Sequence, residues 1–99
     1  MDSLHNINTD ILFDAIMSLK SREECYMFFE DVCTVKEIKD MTQRFQAAIL
    51  LDKGESYVSV TQKVGISSAT ISRVNRCLNY GAGGYRIAID RVSGEEEQE

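Results

Sequence analysis

The 99-residue chain predicts an all-α protein, a small multi-helix domain, and three observations carry that prediction. Apolar residues recur at helical spacing through most of the chain. Hydroxyl or amide residues stand immediately before the apolar runs, where they can cap a helix N-terminus. There is no proline to interrupt a helix.

Each element follows from that grammar. Asn8 or Thr9 can cap a first helix with Ile11, Leu12, Ala15, Ile16 and Leu19 on one stripe. Ser21 and Glu24 form a capping box, opening a helix expected to bury Cys25, Phe28, Phe29 and Val32. Thr34 and Glu37 repeat the box. The long helix they open turns Ile38, Met41, Phe45, Ala48, Ile49 and Leu50 inward and ends at Gly54. Ser56 caps a short helix carrying Val60 and Val64, which Gly65 breaks. Ser67 caps the next, with Ile71, Val74 and Leu78 facing inward. The alternation Tyr85, Ile87, Ile89 also suits a strand, but a single strand has no partner, so a final helix is expected over 85–92. Residues 1–93 are read as one domain and 94–99 as an acidic, disordered tail.

The totals exclude several chemistries. Cys25, Cys33 and Cys77 form no C-x-x-C pair, and His5 is the single histidine. Neither a four-ligand zinc site nor a histidine-activated nucleophile can be assembled, and the cysteines read as buried small hydrophobes in a reducing compartment. No catalytic or metal site is expected, and the protein is read as not an enzyme. No apolar run approaches the ~20 residues that span a bilayer, and the N-terminal Asp2, Asp10 and Asp14 do not suit a secretory leader. A cytoplasmic protein without a membrane partner is expected.

Charge is distributed unevenly. The chain carries a net charge of −5, yet Ser56 to Arg86 holds Lys63, Arg73, Arg76 and Arg86 and no carboxylate. Within that stretch a helix, a glycine turn and a hydroxyl-capped helix make a helix-turn-helix over about 57–78. With Ile71, Val74 and Leu78 inward, the second helix presents Ser68, Ala69, Ser72, Arg73 and Arg76. Short side chains let such a helix press into a major groove, and its N-terminus favours a phosphate. Serine and threonine can donate to phosphates or bases, and Ala69 or the Thr70 methyl can touch a thymine methyl. The candidate DNA-binding residues are Lys63, Ser67, Ser68, Ala69, Thr70, Ser72, Arg73 and Arg76. Acidic flanks keep the molecule from coating DNA indiscriminately. A helix pair of this kind also occurs as scaffold or as a protein-docking module.

From Asp31 to Tyr85, with "ATISRVNRCLNYG" the most specific run, the chain resembles the Trp-repressor-like superfamily, in its small YerC/YecD branch. The resemblance implies an intertwined homodimer whose N-terminal helices interlock between subunits. Three amphipathic helices rich in Phe and Leu agree with that, since they need more partners than one small subunit offers. Two recognition helices would then address double-stranded DNA at half-sites about 34 Å apart. It also implies an effector pocket, because Arg44, Arg73 and Thr34 match positions that hold tryptophan in the founding repressor. That repressor has glycine where this chain has Val74 and leucine where it has Asp31. Tryptophan is therefore not expected as co-repressor, and no cofactor is assigned. Thr34 is equally explained by capping, Arg73 by DNA contact, and Arg44 by pairing with Asp40 four residues before it. The function expected is a homodimeric, sequence-specific transcriptional regulator of the repressor type. The alternative is a dimeric protein-interaction module.

Overall fold

The computed structural model describes residues 3–98, with side chains described through residue 94. Six helices follow in order: α1 (Ile7–Met17), α2 (Arg22–Val32), α3 (Val35–Asp52), α4 (Tyr57–Val64), α5 (Ser68–Tyr80) and α6 (Gly84–Gln98). No strand occurs among the described residues, and the 85–92 segment is helical. The tail expected over 94–99 falls at the end of α6. Glu99 and the side chains of 95–98 lie outside the described residues.

Capping sets most of the helix starts. In α2, Ser21 Oγ accepts the Glu24 N–H at 3.1 Å, while Glu24 Oε1 accepts the Lys20 N–H at 2.9 Å. The box thus closes on the residue before the cap. At α3 it is fully reciprocal, with Glu37 N–H to Thr34 Oγ1 at 3.1 Å and Thr34 N–H to Glu37 Oε1 at 2.8 Å. The first helix starts earlier than expected. Asn6, not Asn8 or Thr9, is its cap, because Asn6 Oδ1 accepts the Thr9 N–H at 2.9 Å.

The chain divides into two units, one up to Ile38 and one from Lys39 onward. In the first, α1 and α2 bury no residue completely. Phe28 and Phe29 meet edge to face, with ring centroids 5.5 Å apart, and are half-buried. Val32 is 57% exposed and Cys25 is exposed, so the expected burial of that stripe does not occur within one subunit. Cys77 is likewise exposed and Cys33 half-buried, and all three are free thiols, contrary to the expectation of buried cysteines. A chain this small buries a limited share of its surface.

The second unit holds the core. Ala47 and Ala48 of α3, Val60 of α4, Ile71 and Val74 of α5 and Ile89 of α6 are all at most 4% exposed. The inward face expected of α3 holds except at Met41: Ala48 is fully buried and Ile38, Phe45, Ile49 and Leu50 are partly buried, Ala47 joins Ala48 in the core, and Met41 is 39% exposed. Through these two alanines α3 joins the same buried cluster as α4, α5 and α6. Burying a side chain such as Ile71 or Val60 contributes about 1.5–3 kcal/mol, which fixes α4 and α5 on a common support. Phe45 and Tyr85 stack across α3 and α6, centroids 6.4 Å apart and planes 19° apart.

The "NYGAGG" link that joins α5 to α6 has a steric explanation. The Gly81 N–H closes α5 on the Cys77 carbonyl at 2.9 Å, and a Cβ on Gly81 would collide with that same carbonyl oxygen. Only glycine lets the chain leave the helix so tightly. The link, α6 and Phe45 border an open apolar groove of about 460 Å³, with Cys77, Tyr85 and Ala88 on its walls.

Candidate nucleic-acid interface

The reading segment is built on two capped helices and one left-handed residue. Ser56 Oγ accepts the Ser59 N–H at 3.1 Å and starts α4. Gly65 ends it with φ 81 and ψ 29, its N–H bonded to the Thr61 carbonyl at 2.9 Å. A side chain at that φ is strained, so glycine suits the turn. Gln43 of α3 steadies the corner by donating from Nε2 to the Val64 carbonyl at 3.3 Å. Ser67 then caps α5, accepting the Thr70 N–H at 3.2 Å and pairing with the Thr70 hydroxyl at 3.0 Å. The hydroxyls of Ser67 and Thr70 are therefore engaged with each other, and the pair keeps one hydrogen free to donate outward.

Ile71 and Val74 turn α5 into the core, and Leu78 is partly buried on the same side. Helical spacing then puts Ser68, Ala69, Ser72, Arg73 and Arg76 on the opposite face, where all five are exposed. Among the described residues no hydrogen bond or ion pair engages the guanidinium of Arg73 or Arg76. The face offers two open cations, two short hydroxyls and a methyl, with a helix N-terminus at one end.

The other two cations of the segment are not open. Lys63 Nζ donates to Glu55 Oε1 at 2.7 Å, and the same oxygen accepts from Ser59 Oγ at 2.7 Å. These hydrogen bonds, Lys63's first and Ser59's second, hold the Glu55 carboxyl below its ordinary range. Arg86 is gripped by Asp52 at 2.6 Å and by Asp90 at 3.3 Å. Arg86 lowers the Asp52 pKa mainly by its hydrogen bond, and the two carboxylates raise that of Arg86. Sequence reading placed Lys63 among the DNA-contacting residues, but missed Glu55, Asp52 and Gln43. A signal existed for the first: Glu55, Ser59 and Lys63 lie at i, i+4 and i+8, one face along α4.

The four residues of the effector pocket have separate situations. Val74 is 2% exposed and belongs to the core cluster. Arg73 points from the exposed face beside it, and Arg44 is half-buried on α3. No hydrogen bond or ion pair joins Arg44 to Arg73 among the described residues. Thr34 lies in the other unit, its hydroxyl and amide both spent in the capping box. No group of three or more His, Cys, Asp or Glu able to hold a metal occurs among the described residues.

The family model for the Trp repressor protein matches residues 8–93. The chain belongs to that family. Its members are regulator-type helical proteins rather than enzymes. The Bacillus subtilis (strain 168) protein YerC, itself uncharacterized, is 47% identical over 98 residues, covering 99% of this chain and 94% of that one. A TrpR-like protein from Eubacterium eligens ATCC 27750 superposes with a TM-score of 0.88 at 48% identity, covering 91% of this chain and 93% of that one. A candidate Trp repressor from Staphylococcus aureus superposes with a TM-score of 0.87 at 47% identity, covering 91% and 90%. The all-α class and the Trp-repressor-like resemblance both hold. No helix among the described residues is long and apolar enough to cross a membrane.

Proposed function

We propose that this member of the Trp repressor family is a homodimeric, sequence-specific DNA-binding regulator of transcription, acting in the cytoplasm as a repressor. One observation carries the reading: the exposed stripe Ser68, Ala69, Ser72, Arg73 and Arg76, set on a rigidly buried helix in a helix-turn-helix. Ser67 to Arg76 read the major groove, with Arg73 or Arg76 bidentate to a guanine and the other on phosphate. The helix α5 N-terminus seats a further phosphate. Residues 94–99 act as an acidic tail outside the reading domain.

The dimer is supported by uncovered apolar surface. Ile7, Ile11, Met17, Tyr26 and Val35 are each at least 60% exposed, and the groove beside Phe45 and Tyr85 is open. Surface of that kind marks an interaction site. Two subunits also double the number of cations offered to DNA. Tryptophan is not assigned as effector, because Val74 is committed to the core and a carboxylate, Asp31, stands where the founding repressor has leucine.

Selection of genomic fragments by the purified protein near physiological salt, with and without free tryptophan, tests the reading. Enrichment of a two-fold-symmetric site, independent of tryptophan, is expected. Absence of any enriched site would move the assignment to a protein-docking module.

A further inference from the structure

We propose that Glu55 restrains sequence-independent DNA binding by withholding Lys63 from the phosphate backbone; the inference rests on the DNA-binding reading above. Glu55 sits in the turn before α4, outside the helix-turn-helix, and has no place in reading a base. Yet one of its oxygens takes both Lys63 Nζ and Ser59 Oγ at 2.7 Å. The Glu55 side chain is 24% exposed, against 58% for Lys63, so the carboxylate is the fixed member and the ammonium the one that could swing away. A charge-assisted bond at that distance, supported by a second donor, competes directly with a phosphate for the same cation.

The consequence is a charge count. Between Ser56 and Arg86, Arg86 is held by Asp52 and Asp90 and Lys63 by Glu55, leaving Arg73 and Arg76. On a random duplex, where phosphate contacts supply nearly all affinity, a dimer then engages about four phosphates. The corresponding slope of log K against log salt is about −3.6, and releasing Lys63 in each subunit steepens it to about −5.4. A regulator that must not be absorbed by bulk DNA benefits from the shallower slope. Glu55 thus acts on Lys63 as a positioning residue and contacts no DNA itself.

The test compares wild type, Glu55→Gln, the double variant Glu55→Gln with Lys63→Met, and Glu30→Gln on a random-sequence duplex across a salt series. Glutamine at 55 can still accept from Ser59, and circular dichroism verifies that each variant is folded. Glu55→Gln is expected to bind roughly tenfold tighter near physiological salt with a slope steeper by about 1.8. Glu30→Gln makes the same change in net charge at a residue outside the Lys63–Glu55 pair and should leave both close to wild type. Combining Lys63→Met with Glu55→Gln should cancel the gain, because no ammonium is then left to release. If Glu55→Gln matches the wild type, or the double variant keeps the tighter binding, Glu55 does not withhold the lysine. Failure of every protein to hold duplex DNA even at low salt would instead overturn the DNA-binding reading, and this inference with it.

Discussion

Replacing both Arg73 and Arg76 with alanine separates the reading surface from the fold. Both side chains are exposed and their guanidinium groups are unbonded among the described residues, and alanine is the better helix former. Stability should therefore move by no more than about 0.5 kcal/mol. Binding should respond very differently. One guanine contact per subunit is worth about 1–3 kcal/mol, so a dimer loses roughly 2–6 kcal/mol of discrimination. At 1.4 kcal/mol per decade, that is a fall of about thirtyfold to more than 10⁴-fold in preference for the selected site over a scrambled one. Fluorescence anisotropy on the two duplexes reads the preference, and thermal unfolding reads the fold. A lysine pair at the same positions adds a second arm: it keeps the charge but not the planar fork, so random-duplex affinity should survive while discrimination falls. If the alanine protein keeps wild-type preference, α5 does not read bases through these arginines and the reading surface lies elsewhere.

Other outcomes follow from the core, the link and the ion pairs. Ile71→Ala empties a fully buried site beneath the recognition helix and should cost about 2–5 kcal/mol in urea unfolding; a loss under 1 kcal/mol would mean that α5 is not anchored there. Gly81→Ala drives a Cβ against the Cys77 carbonyl, which is backbone and cannot swing aside, so the melting temperature should drop more than for Gly84→Ala, whose Cβ meets open space. Equal melting temperatures would show that the exit from α5 relaxes freely. Asp52, held below its ordinary value of 3.8 chiefly by the Arg86 hydrogen bond, contributes stability that is complete above that value. That contribution is lost as pH falls through the lower folded value, so Asp52→Asn should flatten the acid limb of a stability profile below about pH 4 and leave its neutral region flat.

Local rules were enough to place most of the helices, because a cap needs only three or four neighbouring residues. Ser21, Thr34, Ser56 and Ser67 all behave as their sequence contexts require. Near the start, Asn8 and Thr9 were the caps expected, and the backbone path selects Asn6 instead. Burial was legible where the contacts lie within the second unit, as for Val60, Ile71 and Val74. It was not legible for Cys25 and Val32, whose periodic faces state that something covers them but not that this subunit does. The glycines of the α5–α6 link were visible as punctuation. That Gly81 is required by a backbone carbonyl is a fact of three dimensions.

Charge shows most clearly how averages mislead. A net charge of −5 argues against a nucleic-acid binder, and the carboxylate-free stretch from Ser56 to Arg86 argues for one. Tertiary placement revises the second statement as much as the second revised the first, since Asp52 lies 34 residues from Arg86 and neutralises it across the fold. What remains open between Ser56 and Arg86 is two arginines on one helix face. Two phosphate contacts give a salt slope of about −1.8. The same surface in two copies gives about −3.6, with base contacts from both recognition helices added. With two open cations in the Ser56–Arg86 segment, the proposed reading of DNA gains from a second copy of that segment, and sparing backbone charge would make its affinity depend on the bases it meets.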